Sequence, residues 1–105
     1  MTGLSTHVLD AVRGVPAEGV AVWLVRGELR LTEALTDADG RVKELAAGLN
    51  PGDYQLFFDT GSYFAAQGVE TFYPEVGIAF TVGDQAHLHV PLLLSPFAYS
   101  TYRGS

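Results

Sequence analysis

The stretch VAVWLVRGELRLTEALTDADG, residues 20–40, decides the fold class. Apolar residues recur at every second position in each half, which is the spacing of a strand with one buried face. The closing tetrad DADG is a turn signal, because Asp side chains bond their own backbone and Gly40 can adopt a positive φ without steric cost. The stretch therefore predicts two successive strands and then a tight turn that leaves Arg41 at the first position after it.

The same period-two spacing continues along the rest of the chain, broken about every 8–12 residues by Gly, Pro, Asn and Asp. Residues 61–68 are the one candidate helix, of about two turns, with Gly68 as its C-terminal stop. Pro91 lacks an N–H, so its strand is expected at a sheet edge or a bulge. Further strands are predicted at residues 4–10, 50–60, 72–82, 87–94 and 98–103. The pattern predicts an all-β, antiparallel β-sandwich of about eight strands with one short helix, in a single domain spanning residues 1–105.

Composition limits the partners. With 48% hydrophobic and 17% charged residues in 105, the chain carries more apolar material than one small core can bury, which predicts an oligomer. It contains no cysteine, which excludes disulfides, thiolate nucleophiles and cysteine-ligated metal centres. A net charge of -6 argues against nucleic acid and anionic membranes as partners. No apolar run approaches the roughly 18 residues of a membrane span, and the start resembles no signal peptide, so the cytoplasm is expected.

Three histidines and an arginine are the candidate functional residues. His87 and His89 share one face of their predicted strand, with Leu88 on the other. Together with His7 they could bind a catalytic zinc with an open position for water, or they could act as metal-free acids and bases. Arg41 is either a solvated turn residue or a binding group. No Gly-x-Ser-x-Gly elbow or phosphate-binding glycine loop is present.

Five segments together resemble one enzyme family, the transthyretin-related 5-hydroxyisourate hydrolases, over essentially the whole chain. They are LSTHVLD (4–10), DGR (39–41), FFDTGSYF (57–64), FYPEV (72–76) and HLHVPLLLSPFAYSTYRGS (87–105). The resemblance implies a prealbumin-like fold, a homotetramer with active sites in a central channel, and no cofactor. It also implies the reaction: hydrolysis of the cyclic amide of 5-hydroxyisourate to 2-oxo-4-hydroxy-4-carboxy-5-ureidoimidazoline.

The resemblance further implies the site residues. His7, Arg41 and His89 fall on the family's catalytic positions, with no role carried over to His87 and no metal. A planar arginine can orient a carbonyl-rich substrate and stabilise the oxyanion, while the two histidines move protons in an order that the sequence leaves open. The terminal tetrapeptide is the family's pocket wall, in which the Ser105 hydroxyl or a terminal carboxylate holds a histidine or water. Its members are Tyr102, Arg103, Gly104 and Ser105.

Two other functions fit the fold. A transthyretin-like carrier would bind a small ligand in the channel without turnover, and a non-catalytic sandwich would serve only as an interaction module. The histidines, Arg41 and the terminal tetrapeptide argue against both.

Overall fold

The computed structural model describes all residues 1–105 and contains nine strands and one helix. In chain order they are β1 (Thr2–Asp10), β2 (Val15–Pro16), β3 (Ala21–Arg26), β4 (Leu29–Leu35), β5 (Arg41–Leu49), β6 (Gly52–Phe58), α1 (Thr60–Ala65), β7 (Val76–Val82), β8 (His87–Leu94) and β9 (Tyr99–Thr101). The predicted sandwich is confirmed. Two of its strands lie outside the ranges that the sequence predicts: β2, which is only two residues long, and β5, which begins at Arg41. The helix is too short to cross a membrane, and no other helix is present.

The strands form two sheets. One has the order β2-β1-β8-β9, with β5 also pairing with β1, and the other has the order β4-β3-β6-β7. All pairs are antiparallel except β1 with β8, which run parallel from Gly3 opposite His87 to Asp10 opposite Leu94. A parallel pair needs a long crossover connection, which the whole second sheet provides here. The prediction of an antiparallel sandwich therefore holds for every pair but the one that positions the histidines.

Alternation along β1 separates the core from the site. Leu4, Thr6 and Val8 are fully buried between the sheets, whereas His7 lies on the opposite face and is half-buried. The second sheet supplies Leu56 and other apolar side chains to the same core. This confirms the strand that the period-two spacing predicts for residues 4–10.

The helix is shorter than predicted and begins one residue earlier. It covers Thr60–Ala65, and the Asp59 side chain caps it by accepting from the backbone N–H of Ser62 at 3.2 Å. The chain beyond it reaches Gly68 at φ +69°, so that glycine ends a turn after the helix rather than the helix itself.

The expectation that the strand of Pro91 lies at a sheet edge or a bulge is wrong. Strand β8 lies between β1 and β9, and its register with β1 is unbroken. The Pro91 carbonyl accepts from Thr101 Oγ1 at 2.8 Å, so the backbone of Pro91 faces the β9 side, where strand pairing begins only at Leu92. The missing N–H therefore costs no hydrogen bond of the sheet.

Candidate active site

Arg41 and His7 occupy directly opposite positions of the β1–β5 pair. Arg41 is the first residue of β5, and the turn before it fixes its backbone. The Asp37 carboxylate accepts from the backbone N–H groups of Asp39 at 2.9 Å and Arg41 at 3.0 Å. The Arg41 hydrogen bond is the main reason that the pKa of Asp37 lies below its ordinary value. The turn therefore does more than reverse the chain, because it sets the arginine opposite a histidine.

Gly40 completes this arrangement. It has φ +73°, and its carbonyl accepts from the Val8 backbone N–H at 2.7 Å. A Cβ at this position would collide with the Val8 carbonyl oxygen, so glycine is required both for the turn and for the close approach to β1.

His89 is held by β1 from one side. It lies opposite Ser5 in the parallel β1–β8 pair, and the Ser5 hydroxyl is 2.7 Å from His89 Nδ1. The same hydroxyl is 2.8 Å from His87 Nε2. Sequence reasoning missed Ser5, although the alternation of β1 places it on the same face as His7.

Gly104 holds His89 from the other side. Its backbone N–H donates to the His89 carbonyl at 2.9 Å, and a Cβ built on it would lie 2.5 Å from His89 Cδ2. The terminal tetrapeptide thus packs its smallest residue against the imidazole ring.

Two neighbouring cavities share His89. The first, of about 200 Å³, has no hydrophobic lining residue. It is lined by Ser5, Thr6, Arg41, Lys43, His89 and Ser105. We call it the polar cavity. Lys43 was not predicted, although it is two residues from Arg41 on the same strand face.

The second cavity, of about 300 Å³, lies between β7, β8 and the segment after β9, and Tyr102 and Arg103 line it. The structure therefore brings Arg41, His89 and Ser105 together. It places Tyr102 and Arg103 on the neighbouring cavity. His7 lines neither cavity but sits beside Arg41.

The sequence model of the HIUase/Transthyretin family matches residues 4–104. The chain belongs to this family. The 5-hydroxyisourate hydrolase of Mus musculus is 45% identical over 111 residues, which cover 97% of this chain and 94% of the mouse protein. The solved structure of the Klebsiella pneumoniae 5-hydroxyisourate hydrolase matches with a TM-score of 0.96 and 43% identity, over all of both chains. Sea bream transthyretin in complex with thyroxine matches with a TM-score of 0.91 and 32% identity, over 96% of this chain and 93% of the transthyretin chain.

The surroundings of His89 lower its pKa in this member of the family. Partial burial is the main cause, because removal from water disfavours the charged imidazolium. The positive charge of Arg41 and the nearby His7 and His87 act in the same direction. His89 is consequently a neutral imidazole at neutral pH, able to accept a proton.

A catalytic zinc is the alternative role of the three histidines. No group of three or more His, Cys, Asp or Glu side chains is arranged to hold a metal ion. His87 and His89 turn nitrogens toward each other with the Ser5 hydroxyl between them. One nitrogen of each of these two rings is thus bonded to the Ser5 hydroxyl.

Proposed function

We propose that this chain hydrolyses 5-hydroxyisourate to 2-oxo-4-hydroxy-4-carboxy-5-ureidoimidazoline, with Arg41, His7, His89 and Ser105 as the catalytic residues. The observation that carries the proposal is the polar cavity, which joins an arginine from β5, a histidine from β8 and Ser105 in a member of this family. Relatives named 5-hydroxyisourate hydrolase match nearly the full length of the chain, which supports the same reaction here.

Arg41 suits the electrophilic part of the reaction. Its side chain makes no hydrogen bond or ion pair within the protein, so its guanidinium is free to bind the substrate carbonyl. A planar fork can orient the ring and stabilise the oxyanion that forms when water attacks. Lys43 adds a second positive charge to the same cavity.

His89 suits the proton transfer. Ser5 occupies its Nδ1, which leaves Nε2 without a protein partner and free to take a proton from the attacking water or to return one to the leaving nitrogen. His7, beside Arg41, performs the complementary transfer. Ser105 positions a histidine or the water, and Tyr102, Arg103 and Gly104 form the substrate-binding wall. No metal or cofactor is required for these steps.

A homotetramer is part of the proposal. Large apolar side chains remain exposed, among them Leu35, Phe97 and Tyr102, at 66%, 64% and 60%. Contact with further copies would bury them and could bring the two cavities into one enclosed site. We further propose that residues 1–105 act as one domain in the cytoplasm, with no nucleic acid or membrane partner.

A ligand carrier is the alternative function, and it is not favoured. The match to sea bream transthyretin is 32% identical, against 43% for the Klebsiella hydrolase at the same fold. Arg41, His89 and Ser105 around one polar cavity also offer little to a hydrophobic ligand.

The deciding measurement is the ultraviolet decay of freshly generated 5-hydroxyisourate with and without the protein. We expect the protein to accelerate the decay in proportion to its concentration, and to do so equally after dialysis against a strong chelator. Unchanged decay would reject the enzyme, and activity that chelation removes and zinc restores would reject the metal-free mechanism. Sedimentation of the active protein tests the tetramer, which an active monomer at micromolar concentration would contradict.

A further inference from the structure

The Ser5 hydroxyl is the only group that connects two of the three histidines. Its oxygen lies 2.8 Å from His87 Nε2 and 2.7 Å from His89 Nδ1, and it makes no other hydrogen bond. Ser5 is 8% exposed, so its hydroxyl has little contact with solvent outside the polar cavity that it lines. The three groups therefore form a chain of two hydrogen bonds that runs from the polar cavity to His87.

A serine hydroxyl has one hydrogen, which restricts the protonation of both rings. If the hydroxyl donates to His89 Nδ1, it must accept from His87 Nε2–H, and both neutral rings then carry their proton on Nε2. If it donates to His87 Nε2, it accepts from His89 Nδ1–H, and both rings carry their proton on Nδ1. A hydroxyl that accepted from both rings would leave its own hydrogen without an acceptor in the protein, in a residue that is nearly buried, which is costly.

We propose that Ser5 is a positioning residue that couples the tautomer of His89 to that of His87, and that the three groups relay a proton between the polar cavity and the exposed His87. The relay serves hydrolysis only if the proposed function is right. The coupling of the two rings stands independently of it.

Proton movement along the relay balances. When His89 Nε2 takes a proton from the attacking water, the Nδ1 proton of His89 passes to Ser5 and the hydroxyl proton of Ser5 passes to His87 Nε2. His89 is then neutral with its proton on Nε2, and His87 carries the positive charge. When His89 gives its Nε2 proton to the leaving nitrogen as the C–N bond breaks, both protons move back and the three groups regain their starting state.

The relay is favourable because it places the positive charge on His87 rather than on His89. A cationic His89 would face the guanidinium of Arg41 across the polar cavity, where like charges repel. His87 is solvent-exposed, so water stabilises the charge there. Gly3 lies against this ring, since a Cβ at its position would be 3.1 Å from His87 Nδ1, and the absence of a side chain lets the ring lie close to β1.

Ring ¹⁵N chemical shifts test the coupling without substrate. In ¹⁵N-labelled protein at a pH where both rings are neutral, we expect His87 and His89 to show the same fraction of the Nδ1–H tautomer. In Ser5→Ala the two fractions should become unequal. Opposite tautomers in the unsubstituted protein, or fractions that Ser5→Ala leaves as they were, would overturn the proposal.

Kinetics test the relay itself. We expect Ser5→Ala to lower kcat about tenfold, the size of one hydrogen bond in the transition state. In the unsubstituted protein, a plot of the rate against the deuterium fraction of the solvent should be curved, because several protons move together. In Ser5→Ala the plot should be a straight line, because fewer protons then move together. A straight line in both proteins would reject the relay while leaving hydrolysis intact.

A matched control is Thr2→Val. This substitution also removes a hydroxyl from β1. The Thr2 hydroxyl donates to the Gln85 carbonyl at 2.5 Å and lies outside the site. We expect it to lower stability while leaving the tautomers and the solvent dependence unchanged. If the unsubstituted protein fails to accelerate decay of 5-hydroxyisourate, the proposed function fails, and the tautomer measurement still decides the coupling.

Discussion

Gly104 packs against the imidazole of His89 so closely that a Cβ on the glycine would lie 2.5 Å from Cδ2 of the ring. The Gly104 N–H also donates to the His89 carbonyl at 2.9 Å. The backbone of the terminal tetrapeptide and the ring of the proposed catalytic histidine therefore occupy one fixed arrangement. A side chain at residue 104 must move one of them.

The first prediction concerns the close packing of Gly104 against His89. In Gly104→Ala we expect kcat/KM to fall by about 10- to 100-fold, because a small misplacement of a catalytic group is enough for such a loss. Gly104 has no positive φ, so the fold should survive and the melting temperature should change little. Gly83→Ala is the control, since its added Cβ would meet only the flexible Gln85 side chain, at 3.2 Å. Equal activity of the two variants would show that the close packing has no catalytic role.

The second prediction concerns the shape of the cation in the polar cavity. Arg41→Lys keeps the charge but replaces a planar fork with a point donor, so we expect turnover to fall by about 10²–10³-fold, as when one oxyanion donor is lost. Arg30→Lys on β4 is the control, because Arg30 lies on an exposed face outside the polar cavity, where it pairs with Glu33 at 3.2 Å and lies over the Trp23 ring. Near-normal turnover in a folded Arg41→Lys protein would show that Arg41 only follows the turn and does not act on the substrate.

The sequence could reveal most strands because burial leaves a period of two, but it did not reveal β5, whose buried residues do not alternate. In β1 that period separates Val8, in the core, from His7, on the other face. It also places Ser5 on the face of His7, but it cannot reveal what Ser5 contacts. That contact depends on the parallel register of β1 with β8, two strands separated by most of the chain.

Pro91 illustrates the same limit. A missing N–H predicts an edge strand only when nothing else is known about the neighbouring backbone. The backbone of Pro91 faces β9, whose pairing with β8 begins one residue later, at Leu92. No local pattern in the sequence predicts this arrangement. The positions of Arg41, His89 and Ser105 around one cavity are likewise a long-range result, which only the family resemblance anticipated.

The third prediction is a pH dependence. Because the pKa of His89 lies below its ordinary value, the ring stays neutral, and able to accept a proton, at more acidic pH than a free imidazole does. We expect Arg41→Gln to raise the pKa of His89, since it removes one of the positive charges that disfavour the imidazolium. The remaining causes, burial and the nearby His7 and His87, should keep the pKa from rising further. An NMR titration of the His89 ring measures the shift, and a pKa unchanged or lowered in Arg41→Gln would contradict the electrostatic account.

The fourth prediction separates the two histidines of β8. His89→Asn removes the ring that faces the polar cavity, so we expect a loss of turnover of about 10²-fold or more, the usual contribution of a general acid or base. His87→Asn removes only the exposed end of the relay and should keep a substantial part of the activity. Because His89 is half-buried against Gly104 whereas His87 is exposed, the melting temperature of each variant must be measured before its activity is compared. Equal impairment would mean that His87 acts on the substrate itself, and the absence of any loss would reject histidine catalysis.

The fifth prediction concerns deletion of residues 102–105. Tyr102 and Arg103 are exposed, and the tetrapeptide contributes one backbone hydrogen bond to β8, so the sandwich itself should remain folded. A carrier or an interaction module should tolerate the deletion, whereas a hydrolase whose cavity Ser105 lines should lose nearly all turnover. Because the same residues could contribute to a tetramer interface, size and melting temperature must be measured first. Ser105→Ala then serves as the matched variant that keeps the wall and removes only the hydroxyl. Full activity in a truncated protein of unchanged size would remove the tetrapeptide from the mechanism.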